Sequence, residues 1–397
     1  MVFIFSKKKT LPLKKKVSFS HHDQELYAFL SQADPDISKI DNAGWTPIHK
    51  AIEINNIEIL KLLIFKSGYA NLNFTNRQGN TPLTYAIRKG NSEIIELLLK
   101  SGADPNFEDK FGCTPITKAI KLGKIRLIRI LMDFGGKVNM IDSKNLTPIT
   151  MAISTANLDI LQYLIVNGGN VNVQAGSGQT PIQNAISKDN LEIVKLLIEN
   201  GANVDLMDND CTPLTRAIIC GKIETARLLI ESGADMDMTD PKGWTPILKA
   251  ISKDNLDILN LLIEKGADVD MIDNLNWTPL TCAVRFEKIE AFKALIANGA
   301  NIDLCNGVGY SPLSEAIIQM NLEMVKLLVE NGAKINSIDV SGWTPFQTAI
   351  KVKHLQMIDF SMENGADLDM RSKYSKNNAI ELALREGEIN IVKKLIY

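Results

Sequence analysis

Three stretches of the chain hold residue types that could do chemistry. "QAGSGQT", Gln174–Thr180, sets two glycines ahead of a Thr-Pro, and such loops can cradle a phosphate on backbone amides. It lacks the Gly-Lys-Thr/Ser ending that grips a nucleotide, so no nucleotide site is expected there. His21, His22 and Asp23 are metal-ligating types, but side by side in one segment they read as solvated residues. The five cysteines (Cys113, Cys211, Cys220, Cys282, Cys305) are scattered and form no CxxC pair. With no nearby histidine to act as a base, they suit neither a zinc site, a disulfide framework nor a nucleophile. Reduced thiols in a cytosol are the plain reading. The expectation is therefore no catalytic residue, no cofactor and no metal: the chain reads as a non-enzyme.

Charge narrows the partners. The net charge is −2, yet residues 1–16 carry six lysines and no acid, leaving 38 of the 44 basic groups against 46 acidic ones. A mildly acidic body argues against a nucleic-acid surface, which needs clustered Lys and Arg. One basic cluster exists, Lys118, Lys121, Lys124, Arg126 and Arg129, and reads as a solvated helix face opposed by Asp109 and Asp133. The start, "MVFIFSKKKTLPLKKK", has its lysines after a short apolar run, so it is no secretory signal. Residues 1–20 read as a lysine-rich disordered tail. A second reading makes them a weak tether to anionic lipid, with Lys7–Lys9 and Lys14–Lys16 attracting and Phe3, Ile4 and Phe5 inserting. A third is a nuclear address. No apolar run is long enough to span a membrane.

The elements that position everything else come from a repeat. Thr-Pro occurs at Thr46, Thr81, Thr114, Thr147, Thr180, Thr212, Thr245, Thr278 and Thr344, with Ser311-Pro312 filling the gap. The steps are 35, 33, 33, 33, 32, 33, 33, 33 and 33 residues, and a degenerate eleventh copy follows at Asn378. Self-similarity at this period signals a solenoid. In residues 240–272, "DPKGWTPILKAISKDNLDILNLLIEKGADVDMI", Thr245 is a good N-cap and Pro246 fits the first helical position. Ile247, Ala250 and Ile251 make one short apolar stripe, Asp254-Asn255 breaks the run, and a second helix presents Leu256, Leu259, Leu262 and Ile263. Gly266 ends it, and the following residues loop out as a hairpin before the next Thr-Pro.

The pattern Asp-x-x-Gly-x-Thr-Pro-Leu, then Ala, Leu-Leu and Gly-Ala-(Asp/Asn), resembles the ankyrin repeat over about residues 40–397. The fold implied is all-α, an ankyrin-repeat solenoid of helix-turn-helix units with projecting β-hairpin loops. Residues 21–40 would form an N-terminal capping helix and hairpin, 41–376 ten repeats, and 377–397 a degenerate C-terminal cap, using nearly the whole chain. Two departures recur. The family's histidine after Thr-Pro survives only as His49, with Thr84, Thr117, Thr150, Thr215, Thr281, Gln183, Leu248, Ser314 and Gln347 elsewhere; and isoleucine replaces its second alanine at Ile52, Ile87, Ile120, Ile153, Ile186, Ile218 and Ile251.

All four tryptophans stand just before a Thr-Pro: Trp45, Trp244, Trp277 and Trp343. With Tyr310, four consecutive repeats carry Trp, Trp, Tyr, Trp at that place. In the family that residue lies on the hairpin near the concave groove that holds partners. Large rings with few rotors suit interface anchors, while local packing across the hairpin is the rival reading. Arg285, Phe286, Ile318 and Gln319 would lie near the same groove. The resemblance implies a protein-protein interaction module (adaptor, scaffold or inhibitor) with an unidentified protein partner, in the cytoplasm. The alternative is a membrane-associated or host-directed effector-type ankyrin protein targeted by its lysine-rich tail, as in ankyrin proteins of intracellular bacteria, protists and large viruses.

Overall fold

A computed structural model describes residues 36–67, 72–174, 178–340, 342–374 and 376–396. The lysine-rich tail, the His21–Asp23 group and most of the expected N-terminal cap lie outside the described residues, as does the centre of Gln174–Thr180. Among the described residues there are 22 helices, and none is long and apolar enough to cross a membrane.

Each repeat is built by local rules. Thr245 takes an extended conformation and its hydroxyl accepts a hydrogen bond from the Leu248 amide at 3.4 Å, which caps Pro246–Ser252. Asp254 turns the chain at φ 57°, and Asn255 caps Leu256–Glu264 by accepting from the Ile258 amide at 3.1 Å. That left-handed turn between the helices recurs down the chain. Gly90, Gly123, Gly221 and Gly387 occupy it in four repeats; Asn55, Ala156, Asp189, Asp254, Glu287, Met320 and Lys353 occupy it in the others.

Two compact units divide at Met151/Ala152. In the first, the short helices Pro47–Glu53, Pro82–Lys89 and Pro115–Lys121 pack side by side, each against its own longer helix (Ile57–Lys66, Ser92–Lys100, Ile125–Asp133). In the second, the short helices from Pro181–Ser187 to Ala379–Arg385 stack in the same manner, and Ala379–Arg385 pairs with Ile389–Ile396. Burying both helix stripes between neighbours removes apolar surface that one repeat alone would leave in water. The isoleucines that replace alanine are fully absorbed: Ile87 and Ile251 are 0% and 1% exposed.

Two sequence expectations need correction. In the second helix of the repeat at 245, the buried residues are Ile258, Leu259, Leu261 and Leu262, while Leu256 is exposed. The cap at Asn255 fixes the helix phase, which leaves Leu256 at the first turn on the rim. The hairpin loops also contain no β-strands among the described residues. Where successive loops are joined through the backbone it is by a single bond at this place, such as Lys110 N to Gly79 O at 2.8 Å, or Asn274 N to Gly243 O at 3.1 Å. One bond per loop is too few for a ladder. Gly243 is required here: its φ is +88°, and an added Cβ would stand 3.0 Å from Asn274 Cβ.

The histidine substitutions sort by reach. His49 Nε2 donates to Asn80 O in the next loop at 3.0 Å, while Nδ1 accepts from the Thr46 hydroxyl at 2.7 Å. Gln183 and Gln347 also reach forward, to Cys211 O at 2.6 Å and Asn377 O at 3.1 Å. The threonines are too short and donate back to their own helix cap, as Thr281 does to Thr278 O at 3.0 Å. Burial pushes the His49 imidazole down to about 4, so the ring is neutral at neutral pH.

Candidate protein interface

In these repeats the residue before Thr-Pro or Ser-Pro is held by an Asp or Asn of its own loop. The amide of Trp244 donates to Asp240 Oδ1 at 3.0 Å, and its carbonyl accepts from the Asp240 amide at 2.9 Å. Asp273 clamps Trp277 in the same manner at 2.8 and 3.0 Å, Asp339 clamps Trp343 at 3.1 and 3.1 Å, and Asn306 clamps Tyr310 at 3.0 and 2.9 Å. This double clamp fixes the backbone at the aromatic residue without using the ring. All five aromatic side chains are half-buried, so each keeps one part in the loop and one part in solvent.

The rings carry cations. Lys249 Nζ stands 5.0 Å from the Trp244 ring centre, Arg285 Cζ 4.6 Å from Trp277, and Lys351 Nζ 4.5 Å from Trp343. Trp244 also packs against Phe286 of the next repeat at 6.1 Å. Arg285 Nη1 reaches on to Glu315 Oε1 at 3.1 Å, and Gln319 Nε2 donates to the same oxygen at 3.1 Å. Arg285, Phe286, Gln319 and the aromatic row are thus linked through contacts; Ile318 is part-exposed at the end of its helix. Trp45 differs. Its ring meets Tyr85 edge-on at 5.3 Å, and Tyr85 in turn meets His49 at 5.5 Å. Tyr85 is buried, its hydroxyl donates to Glu53, and burial pushes it up to about 12.

Sequence reading missed a second series: an acid on the loop paired with a cation in the following short helix. Lys50 Nζ meets Asp41 Oδ2 at 2.7 Å, Lys118 meets Asp109 at 3.0 Å, Arg216 meets Asp208 at 2.7 Å and Lys249 meets Asp240 at 2.8 Å. The signal was an acid and a base straddling Thr-Pro at nearly constant spacing. The basic cluster of the third repeat is partly explained by it: Lys118 goes to Asp109, while Lys121 Nζ stands 3.3 Å from Cys113 Sγ. Among the described residues no group of three or more His, Cys, Asp or Glu could hold a metal ion.

A family model described as ankyrin repeats (3 copies) matches in overlapping blocks at residues 17–109, 101–175, 154–240, 227–306, 272–339, 286–372 and 313–397. The chain is an ankyrin-repeat protein. It is similar to the probable 26S proteasome regulatory subunit p28 of Saccharomyces cerevisiae, 31% identical over 94 residues, which are 23% of this chain and 41% of that protein. It is also similar to the ankyrin repeat and SOCS box protein 3 of Bos taurus, 40% identical over 70 residues, 17% of this chain and 13% of the relative. The chain thus spans less than half the length of these relatives. Among solved structures, the ankyrin repeat domain of Bcl-3 aligns with TM-score 0.49 and 27% identity over 52% of this chain and 94% of that one. The human ASB11 ankyrin repeat domain aligns with TM-score 0.46 and 26% identity, over 56% and 99%. Ankyrin repeats are a protein-protein interaction module, and this chain carries them along most of its length.

Proposed function

We propose that this ankyrin-repeat protein has no chemistry of its own and acts by holding a partner protein, as an adaptor, scaffold or inhibitor. The contact surface is the row Trp244, Trp277, Tyr310 and Trp343, with Arg285, Phe286, Ile318 and Gln319 beside it. The observation that carries this reading is that four consecutive repeats hold a half-buried aromatic ring at one loop position, three of them beside a cation. Each ring is packed on one side and partly in solvent on the other, and a large ring with few rotors offers contact area at low entropic cost on docking. The loop ring of the first repeat is left out of this surface, because Trp45 is packed edge-on against a buried tyrosine.

The test is a cross-linked pull-down compared by mass spectrometry between the wild type and a variant with Trp244, Trp277, Tyr310 and Trp343 all changed to Ala. Circular dichroism checks that the variant folds. A partner lost from the folded variant supports the surface; the same partner retained at equal yield moves the search to the short helices and the third repeat.

A further inference from the structure

Four repeats share one arrangement of atoms, and the eighth repeat has all of it except one. In the seventh repeat, Asp240 Oδ1 accepts from the amides of Lys242 at 2.9 Å and Trp244 at 3.0 Å, and Oδ2 takes Lys249 Nζ at 2.8 Å. Asp109 does the same with Phe111 at 2.9 Å, Cys113 at 3.0 Å and Lys118 at 3.0 Å. Asp208 and Arg216, and Asp41 and Lys50, repeat the pairing. In the eighth repeat Asp273 Oδ1 accepts from Leu275 at 2.9 Å and Trp277 at 2.8 Å. Its Oδ2 is buried and has no partner.

The cause lies in one residue. Cys282 stands where the seventh repeat has Lys249, and stops at Sγ where lysine runs on through Cδ and Cε to Nζ. The nearby cation of that repeat, Arg285, goes forward to Glu315 instead. Asp273 is only 4% exposed, so its oxygen is stripped of water without compensation, and burial raises its carboxyl above the ordinary carboxylate value. Asp142 in the fourth repeat has the same open Oδ2, with Met151 in the cation's place, but it lies outside the aromatic run. In the seventh repeat the lysine reaches its acid from beside the Trp244 ring, 5.0 Å from the ring centre. The corresponding ring of the eighth repeat, Trp277, is next to Arg285, whose Cζ stands 4.6 Å from the ring centre.

We infer that Asp273 is the acceptor for a lysine or arginine side chain supplied by the protein that docks on the aromatic row, its cation meeting Oδ2 as that of Lys249 meets Asp240, beside a Trp277 ring that already carries Arg285. The inference rests on the docking role proposed above and adds the chemistry of what docks: a segment with a basic residue at the eighth repeat. Charge complementarity and the internal template choose a cation over an apolar or acidic side chain. The missing atoms are those that four other repeats supply for themselves.

The experiment uses the full chain and a peptide array. Randomised nonapeptides are fixed at one position in turn as Lys, Arg, norleucine or Glu, and binding is read by fluorescence. Lys or Arg at one position should bind about tenfold better than norleucine, the size of one charge-assisted hydrogen bond. Asp273→Asn should abolish that preference. So should Cys282→Lys, which supplies the cation from within and should also raise Tm. Asp142→Asn should leave the preference intact. No Lys or Arg preference in the wild type overturns the inference, as does a preference that survives Asp273→Asn. Should Cys282→Lys fail to fold by circular dichroism, the Asp273→Asn arm decides. The four-alanine aromatic variant separates the two readings. If it binds the array as the wild type does, the docking surface is wrong. If it loses all peptides while Asp273→Asn leaves the norleucine, Lys and Arg peptides bound as in the wild type, only the cation site is wrong.

Discussion

Trp45 and Trp277 occupy the same position in their repeats and are clamped by the same acid geometry, yet their rings have different neighbours. The residue that decides is the fifth after the N-cap threonine's loop partner in the next repeat: the fourth residue beyond that repeat's own N-cap. For Trp45 it is Tyr85, buried and joined to His49 and Glu53, so the ring is one part of an aromatic knot. For Trp277 it is Glu315, which draws Arg285 across the ring and leaves that cation's side chain 46% exposed. The same loop residue is therefore packed against a buried tyrosine in one place and against a cation in another. A tryptophan count along the repeats cannot tell the two apart; the neighbour's side chain can.

The sharpest way to break this comparison is to remove the neighbour. Tyr85→Ala should destabilise the chain by about 3–5 kcal/mol, as for other buried aromatic truncations, seen in urea unfolding followed by Trp fluorescence. Next comes the ion pair beside Trp244. Lys249→Met leaves the Asp240 carboxylate buried without its cation, and should cost ~3 kcal/mol, the lower end for breaking a buried pair. Restoring neutrality with Asp240→Asn in the same chain should recover part of the loss.

A third test uses acid. The His49 imidazole is held down to about 4 against an ordinary 6.5, chiefly by burial. The unfolded chain therefore takes up the proton first as pH falls. The stability His49 contributes is fully present above about pH 6.5 and is lost progressively down through pH 4, on the order of a few kcal/mol. His49→Gln, which keeps forward reach as Gln183 does, should flatten that part of the stability-against-pH curve. The smallest effect is expected in the aromatic row. Trp343→Ala loses a half-buried ring and its contact with Lys351, so it should shift stability by only about 1 kcal/mol. A cost as large as that of Tyr85→Ala would show Trp343 to be structural as well.

Much of the fold was legible in the residues. Thr-Pro at steady steps placed each short helix, because the hydroxyl and the ring each satisfy a local requirement of a helix start. The buried face of the second helix was misread because counting from Leu256 ignores that Asn255, as the cap, sets the phase. The β-hairpins were expected from the family, and their single bonds are a matter of inter-loop distance that no local pattern encodes. At the candidate interface, the position of the rings was legible and their surroundings were not. Which partner lies over Trp45 or Trp277 depends on contacts between residues some 40 positions apart in sequence, such as Trp45 and Tyr85. The unpaired Asp273 was invisible for another reason: it is defined by what Cys282 lacks.

The left-handed turn between the two helices of each repeat has a consequence for how far this scaffold could be hardened. A side chain at positive φ costs roughly 1 kcal/mol relative to glycine, and that strain is held at Asn55, Ala156, Glu287, Met320 and Lys353. At Asp189 and Asp254 the strained residue is used, since Lys222 and Lys288 of the following repeats bind their carboxylates at 2.6 and 2.9 Å. Ala156 and Met320 have no such carboxylate to hold a neighbour. Glycine at those two turns is a route to a more heat-resistant chain that leaves every loop ring untouched, and so a reserve of tolerance on which changes at the proposed binding surface could draw.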